Sequence, residues 1–467
     1  MINEKKLYLF ETAKVSKSVW SLSIPSIITM LVVMIYNVVD TFFVGQLNDP
    51  NKVAAVAVAT PVFLLLMALA NIFGVGGSTF ISRALGEKKM ERVKHISSFA
   101  FYTGIFAGII CGLVFFFWAK PILMASGASQ YTIEYAVDYL HIIAYGAPII
   151  ILSFILSALL RGEGAATKAM IGSLIGTISN IILDPIFILS SINIFGHSIN
   201  LLGLGVKGAA IATVIGNFIS VIFYLIAIVG EDSILSFSPK MFKTKDGILS
   251  GVILIGLPSS LNSILMSVSN ILMNNILASY GDTAVAAMGI AMKANMLVVF
   301  VELGLSIGVQ PLIGYCYGAG MKDRLKAITK YAMICNVCIG ITLSAFLIWM
   351  ASPIVSSFLD NKEVITLGSQ MLRALSSSTT VLGIMFINEF AFQAMGKAKE
   401  SLILSISRQG FVFIPFLFIS NYLAGLNGII WSQPLADIVC LFLSLFILKK
   451  ILNSDSKLNA KAMPQRA

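Results

Sequence analysis

The chain has 467 residues, of which 57% are hydrophobic and 12% charged; its mean hydropathy is +0.91 and its formal net charge +10. A soluble protein of this size carries about a quarter charged residues, so a soluble enzyme and a nucleic-acid-binding domain are both excluded. What remains is an all-α integral membrane protein, because apolar stretches of about 18 residues or more with few charges cross bilayers as helices.

The hydropathy pattern predicts twelve spans, near 17–45, 53–81, 95–118, 132–160, 165–189, 206–229, 248–278, 283–314, 327–350, 364–394, 400–422 and 428–449. Counting span edges with the adjoining segments, 25 of the 32 Lys and Arg lie in the two tails and the even-to-odd loops. The odd-to-even loops hold 4. Basic residues accumulate in short cytoplasmic loops, so both termini are expected in the cytoplasm and the positive charge reads as topology. The first apolar stretch is a full-length span without a clear cleavage motif, so no signal peptide is expected.

The second half repeats the first. "IPSIITMLVVMIYNVV" from Ile24 aligns with "LPSSLNSILMSVSNIL" from Leu257, pairing Pro25 with Pro258, and "SRALGEKKMERV" from Ser82 aligns with "GYCYGAGMKDRL" from Gly314. Six spans per copy give both copies one orientation, the arrangement of repeats related by an axis along the membrane normal. The predicted organisation is two pseudo-symmetric six-helix bundles: an N-terminal lobe (1–229), a cytoplasmic linker (230–247), a C-terminal lobe (248–450) and a cytoplasmic tail (451–467). Such a pair of lobes suits alternating access and favours a transporter.

In chain order, the first span ends in "IYNVVD", where Tyr36 and Asn37 precede Asp40 by four and three residues and share its face. Gly104, Gly108 and Gly112 form a small-residue stripe on the third span, a sufficient basis for close helix contact. Tyr139 and His141 open the fourth span; both suit an interfacial anchor, and Tyr139 lies on a face that reaches toward the acids. The fifth span carries "NIILDPIFIL", with Asn180 one turn before Asp184 and no other charge from Ala169 to Val206. "GLGVKG" (203–208) matches a phosphate-binding glycine pattern, but in a short loop before a membrane span it reads as a turn. Thr213 and Asn217 in the sixth span present a hydroxyl and an amide four residues apart.

A charged carboxylate at mid-membrane costs at least ~2.5–3.5 kcal/mol on insertion scales and marks a functional site by default. Asp40 and Asp184 fall opposite Met273 and Phe416 in the repeat. Acids needed only for the scaffold would recur in the second copy, so the ion chemistry is assigned to the first. Two mechanisms fit these atoms: a carboxyl that loads and releases a proton, or a small-cation site, sodium above all, with Asp40, Asn180, Asp184 and Thr213 as hard oxygen ligands. The residues leave both open.

The second half offers Lys293, Glu302, Arg373, Glu389 and Asp437 within spans, with Glu302 and Glu389 expected to attract a cationic substrate. Arg408 is expected to extend to the cytoplasmic surface. Cys335 and Cys338 sit in a charge-free helical run and are expected to pack. No Walker motif or HExxH occurs, so neither ATP hydrolysis nor an ATPase subunit nor a catalytic role is expected.

These residues together resemble the multidrug and toxic compound extrusion (MATE) transporters, in the bacterial MepA-like branch. The similarity rests on "IPSIITMLVVMIYNVVDTFFVGQL", "NIILDPIFI", "GVKGAAIAT", "QPLIGYCYGAG", "FQAMGKAKESLILSISRQ" and "WSQPLADI". It implies two six-helix lobes around a V-shaped cleft and export of lipophilic, often cationic compounds, driven by inward proton or sodium flow. It places the ion site on Asp40, Asp184, Asn180, Tyr36 and Tyr139. A branch with a glutamate in the seventh span is not matched, since Gly247 to Gly281 carries no charge. Ser153 and Ser157 stand about where relatives can have amides and join Glu302 and Glu389 as the expected substrate cleft. The expectation is an ion-coupled antiporter in the bacterial cell membrane, acting as a monomer on amphipathic organic cations and needing no cofactor beyond the coupling ion. The alternative is a flippase for a lipid-linked sugar or cell-wall precursor, with Lys293 and Arg373 as its only basic candidates.

Overall fold

In a hydrocarbon layer every backbone N–H and C=O must be satisfied within the protein, and this chain meets that demand with helices. The computed structural model describes residues 4–47, 49–194, 197–230, 232–359 and 361–461. The last six residues of the tail expected at 451–467 lie outside the described residues. The helices are α1 (Glu4–Glu11), α2 (Val15–Gly45), α3 (Pro50–Gly86), α4 (Met90–Phe117), α5 (Ala119–Ala125), α6 (Ile133–Gly162), α7 (Ala166–Ile188) and α8 (Val206–Val229). They continue as α9 (Ile248–Ala278), α10 (Asp282–Gly318), α11 (Lys322–Trp349), α12 (Ala351–Phe358), α13 (Lys362–Ala394), α14 (Ala398–Ile406) and α15 (Phe413–Lys461). A π-helical turn, Ser407–Val412, joins α14 to α15.

Eleven helical stretches among the described residues are long and apolar enough to cross a membrane. The last, Ala398–Ile451, runs 54 residues, and a straight helix of that length would extend ~80 Å, well over twice a ~30 Å hydrocarbon core. It is not straight. Gly425 has φ 55° and ψ −134°, a conformation that glycine alone adopts cheaply. A Cβ added at Gly428 would collide with the backbone of Ser420, a contact that eight residues of continuous helix would forbid. The chain doubles back here, and the hydroxyl of Tyr280 donates to Asn421 Oδ1 beside the bend (2.6 Å).

Contacts divide the described chain into two compact units. Unit 1 comprises 1–264, 307–328 and 394–396; unit 2 comprises 265–306, 329–393 and 397–467. The units are not the two copies of the repeat, and glycines explain the difference. A Cβ at Gly76 would strike the backbone of Val252, one at Gly256 the backbone of Ile72, and one at Gly318 the carbonyl of Arg83. The first half of α9 and the last third of α10 therefore lie backbone to backbone against α3 and belong to unit 1. The glycine stripe of α4 works the same way inside the first copy, with Gly108 against Pro148 and Gly112 against Ala144 of α6.

Two further segments are tied to unit 1. In α1, the carbonyls of Phe10 and Leu9 accept from Arg324 Nε (2.7 Å) and Nη2 (3.1 Å). Phe10 stacks on Tyr315 at 4.6 Å, and Lys6 pairs with buried Glu163 at 3.1 Å. The linker read at 230–247 is held along α4: Tyr102 donates to Phe237 O (2.8 Å), Ser98 to Ser238 O (3.0 Å), and Phe101 stacks on Phe237 at 4.4 Å.

The loop between α7 and α8 holds a two-stranded antiparallel hairpin, Ser191–Ile194 with His197–Asn200, that hydropathy did not predict. The glycine motif after it is a turn, as expected. The N–H groups of Leu202, Gly203, Leu204 and Gly205 donate to the carbonyls of Ile186, Leu189, Phe187 and Ile188 (2.8–3.1 Å). They satisfy the orphan acceptors that any helix leaves at its C-terminal end.

Candidate functional site

The site begins with a four-residue rhythm on α7. Gly172, Gly176, Asn180, Asp184 and Ile188 are all buried, and residues four apart line one face of a helix. That face is pressed on α8. A Cβ at Gly172 would collide with the Tyr224 ring, one at Gly176 with Ser220 Oγ, and one at Gly216 would lie 3.0 Å from Asn180 Cβ. Where glycine removes the side chain, α8 bonds directly to the α7 backbone: Ser220 donates to Gly172 O (2.9 Å) and Tyr224 to Ala169 O (3.1 Å). The polar pair Asn180 and Asp184 continues this stripe and is thereby turned into the unit.

Asp184 is 0% exposed, and neither of its carboxyl oxygens has a hydrogen-bond partner; the same holds for Oδ1 and Nδ2 of Asn180. An unsatisfied buried polar group costs about 1–3 kcal/mol, and four such atoms stand on one turn of helix. From α8, Thr213 gives its proton to Ala209 O (3.0 Å), so the 3.2 Å contact with Tyr36 is one in which the Tyr36 hydroxyl donates. From α2, Asp40 sits one turn beyond Tyr36; it is electrostatically coupled to Asp184, and Tyr36 and Tyr139 of α6 are coupled to both acids. Tyr139 also packs against the small apolar cluster of Val44, Ile188 and Ala209.

Six of the eight residues expected in the ion group, Asp40, Asp184, Asn180, Tyr36, Tyr139 and Thr213, are thus drawn together by α2, α6, α7 and α8. Two are not. Asn37 is exposed and donates to Val33 O of its own helix (2.7 Å), and Asn217 donates to Thr213 O in the same way (2.9 Å). Each amide spends a donor on its own helix, and neither is bonded to the other ion-group side chains.

The residues expected to line a substrate cleft, Ser153, Ser157, Glu302 and Glu389, are all interior, between 0% and 7% exposed. Ser157 accepts from Arg161 Nη1 (2.7 Å), and Glu389 accepts from Ser405 (2.6 Å). Arg408 does not reach out to a surface. It lies in the π-helical turn of unit 2, with Nε 3.1 Å from Asp437 Oδ1 and its guanidinium 5.5 Å from the Phe386 ring. This pairing of residues 29 apart had no local signal in the sequence. Lys293 and Arg373 are exposed, and Arg373 Nε donates to Ile348 O at 3.5 Å. An open cavity of about 490 Å³ in unit 1 lies between α3, α4 and α9, among Phe73, Phe106, Ile110, Leu249 and other apolar residues. It includes none of the ion-group residues.

The comparisons with known proteins agree with this architecture. The MatE family model matches twice, over residues 25–186 and 258–419, and the two matches start on the prolines that the internal repeat pairs. The chain is 35% identical over 456 residues to "Multidrug export protein MepA" of Staphylococcus haemolyticus, covering 97% of each chain. It is 34% identical over 446 residues to the protein of the same name from Staphylococcus aureus (strain NCTC 8325 / PS 47), covering 96% of each. Among solved structures, "Outward-facing conformation of a multidrug resistance MATE family transporter of the MOP superfamily" superposes with a TM-score of 0.89 at 27% identity, over 98% of this chain and 100% of that one. A MOP superfamily transporter from Pyrococcus furiosus superposes with a TM-score of 0.88, also at 27% identity, over 97% and 98%. Matched in both halves by one family model and along nearly its whole length by known members, the chain belongs to the MATE family of multi-pass membrane transporters.

Proposed function

We propose that the protein is an ion-coupled antiporter that exports lipophilic, often cationic compounds from the cytoplasm of a bacterial cell by alternating access, with Asp184 and Asp40 as its coupling acids. The observation that carries this reading is the set of four partnerless polar atoms on Asn180 and Asp184, held inside a bundle and coupled to a second carboxylate. A structural acid finds partners; an acid whose partner is a transported ion must release it. The names of the MepA relatives support the substrate class.

In this reading both termini face the cytoplasm, the chain crosses the bilayer twelve times with the bend at Gly425 between the last two crossings, and each six-helix copy acts as a lobe. The driving ion is a proton. A proton on Asp184 gives the site a donor where Asn180 Oδ1 lacks one, and its loss restores a charge that the low-dielectric interior opposes. Each transfer is thereby tied to a change in exposure. Sodium is the second reading, supported by the hard oxygens that Asp40, Asn180, Asp184 and Thr213 offer and by the partnerless oxygens of Asn180 and Asp184. The flippase reading has only Lys293 and Arg373 as its basic candidates, and both are exposed.

The test is efflux of a fluorescent lipophilic cation from liposomes containing the purified protein. A pH gradient without sodium should drive transport, and a sodium gradient at equal pH should not. The reverse result would move the site to sodium. No response to either gradient would remove the antiporter reading.

A further inference from the structure

Glu302, on α10 in unit 2, shares the isolation of Asp184. It is 0% exposed, both carboxyl oxygens lack a hydrogen-bond partner, and a space has been cleared for it. A Cβ at Gly340 of α11 would come within 2.5 Å of Oε1, and one at Gly383 of α13 would lie 3.0 Å from both Cδ and Oε1. Two helices omit their side chains where this carboxyl rests. Asn336, one turn before Gly340, uses its Nδ2 on Gly383 O (3.0 Å), Ser306 Oγ (3.2 Å) and Glu302 O (3.3 Å). The amide thus locks α10, α11 and α13 together and leaves Oδ1 buried without a partner. Asn336 Cβ lies 3.2 Å from the same Cβ position on Gly383 that Glu302 Cδ approaches.

Three buried acceptors here, Oε1 and Oε2 of Glu302 and Oδ1 of Asn336, have no partner, and the N–H groups of the Asn336 amide are spent on other acceptors. A carboxylate would add charge to the shortage; a carboxylic acid supplies one O–H donor and removes the charge. The charged groups that reach Glu302 are Arg408, from the π-helical turn, and Asp437, from α15. They are paired with each other, and Asp437 is further bonded by Gln433 (3.0 Å) and Ser378 (3.1 Å). Glu389, further along α13, is held by Ser405 and coupled to Arg408. Where α11 and α13 come closest to it, Asn336, Gly340, Thr380 and Gly383 carry no charge. With Glu302 protonated, it contributes no charge and the Arg408–Asp437 pair sums to zero. With the proton gone, the cluster carries one net negative charge.

We propose that Glu302 is a second proton-binding site of the transporter, separate from Asp40 and Asp184, which gives up its carboxyl proton to water when unit 2 changes conformation and regains it when the glycine cradle closes. Arg408 is the group placed to meet the charge while the proton is away. It is carried on a π-helical turn, a local feature frequently found at functional sites, and one carbonyl of that turn, Gln409 O, is held by Ser269 (2.7 Å). The assignment rests on the antiporter reading for its purpose but not for its chemistry.

Infrared difference spectroscopy of the purified protein in lipid tests it, because a protonated buried carboxyl has its own C=O stretch. The wild type should show such a band that loses intensity when pH is raised or tetraphenylphosphonium is added. Recorded in an Asp184→Asn background, so that the first acid contributes nothing, the band should persist, and adding Glu302→Gln should abolish it. Gly383→Ala keeps the acid but crowds its carboxyl carbon, so the band should shift in frequency; this variant serves if Glu302→Gln does not fold. A band that survives the addition of Glu302→Gln to that background, fails to move in Gly383→Ala, or stays at full intensity through pH and ligand changes would overturn the proposal. None of these results depends on whether Asp184→Asn still exports drug, so the two readings fail separately.

Discussion

Asp184 and Asp437 are both buried carboxylates within long apolar helices, 0% and 2% exposed, yet their surroundings are opposite. Asp437 is met by Arg408, Gln433 and Ser378. Asp184 has no partner at either oxygen, and its neighbour Asn180 has none either. Burial therefore does not separate the two acids, and partnering does. A charge pair taken out of water roughly balances its own desolvation, so Asp437 is at rest, whereas Asp184 is in balance only with something bound. The repeat sharpens the contrast: Met273, at the position matching Asp40, is buried in the apolar core of unit 2 with Leu277, Phe413 and Leu417.

The contrast can be broken in several ways. Asp184→Asn, which keeps the shape and removes the titratable proton, should reduce ion-driven drug uptake by everted vesicles to background while the protein still folds. Arg408→Met should act on stability instead. It strands Asp437 as an uncompensated buried charge, at a cost of about 3–5 kcal/mol, read as a large drop in thermal midpoint in detergent. Arg408→Met combined with Asp437→Leu should recover most of that loss. If the double variant remains as unstable as the single, the pair has a role beyond mutual neutralisation. Gly176→Ala forces a methyl group against Ser220 and the Gly216 carbonyl and should cost about 1–3 kcal/mol by overpacking, with ion dependence altered because Asn180 moves off α8. The smallest effect is expected from Tyr36→Phe. It removes one hydrogen bond to Thr213, worth about 1 kcal/mol, and should weaken drug efflux without abolishing it.

Much of this molecule was legible in its sequence, for reasons that can be named. Spans are long and apolar because lipid requires it, and the last two of the twelve expected spans were separable at "LAGLNG", where the bend at Gly425 falls. Asp184 was legible because an acid inside an uncharged run of this length has few explanations. Its glycine stripe was readable as well, since 172, 176, 180 and 184 share one period. The local bond of Asn37 to Val33 was not legible, because spacing of three and four residues fixes a face but not where a flexible amide bonds. The Arg408–Asp437 pair and the glycine cradle of Glu302 were invisible for a different reason. They join residues on separate helices, and no local pattern records which helices will touch. The interior position of Ser157 and Glu389 follows from Arg161 and Ser405, contacts of the same tertiary kind.

The most direct measurement compares two variants side by side in liposomes under an imposed pH gradient: Asp184→Asn, and the paired Arg408→Met with Asp437→Leu. If the acid without partners is the coupling group, the first should lose gradient-driven efflux of a lipophilic cation altogether. The second, which keeps both Asp184 and Glu302, should retain a gradient-driven response even though Arg408 no longer meets the Glu302 charge. Efflux preserved in Asp184→Asn and lost in the paired variant would place the coupling at the partnered acid and contradict the account.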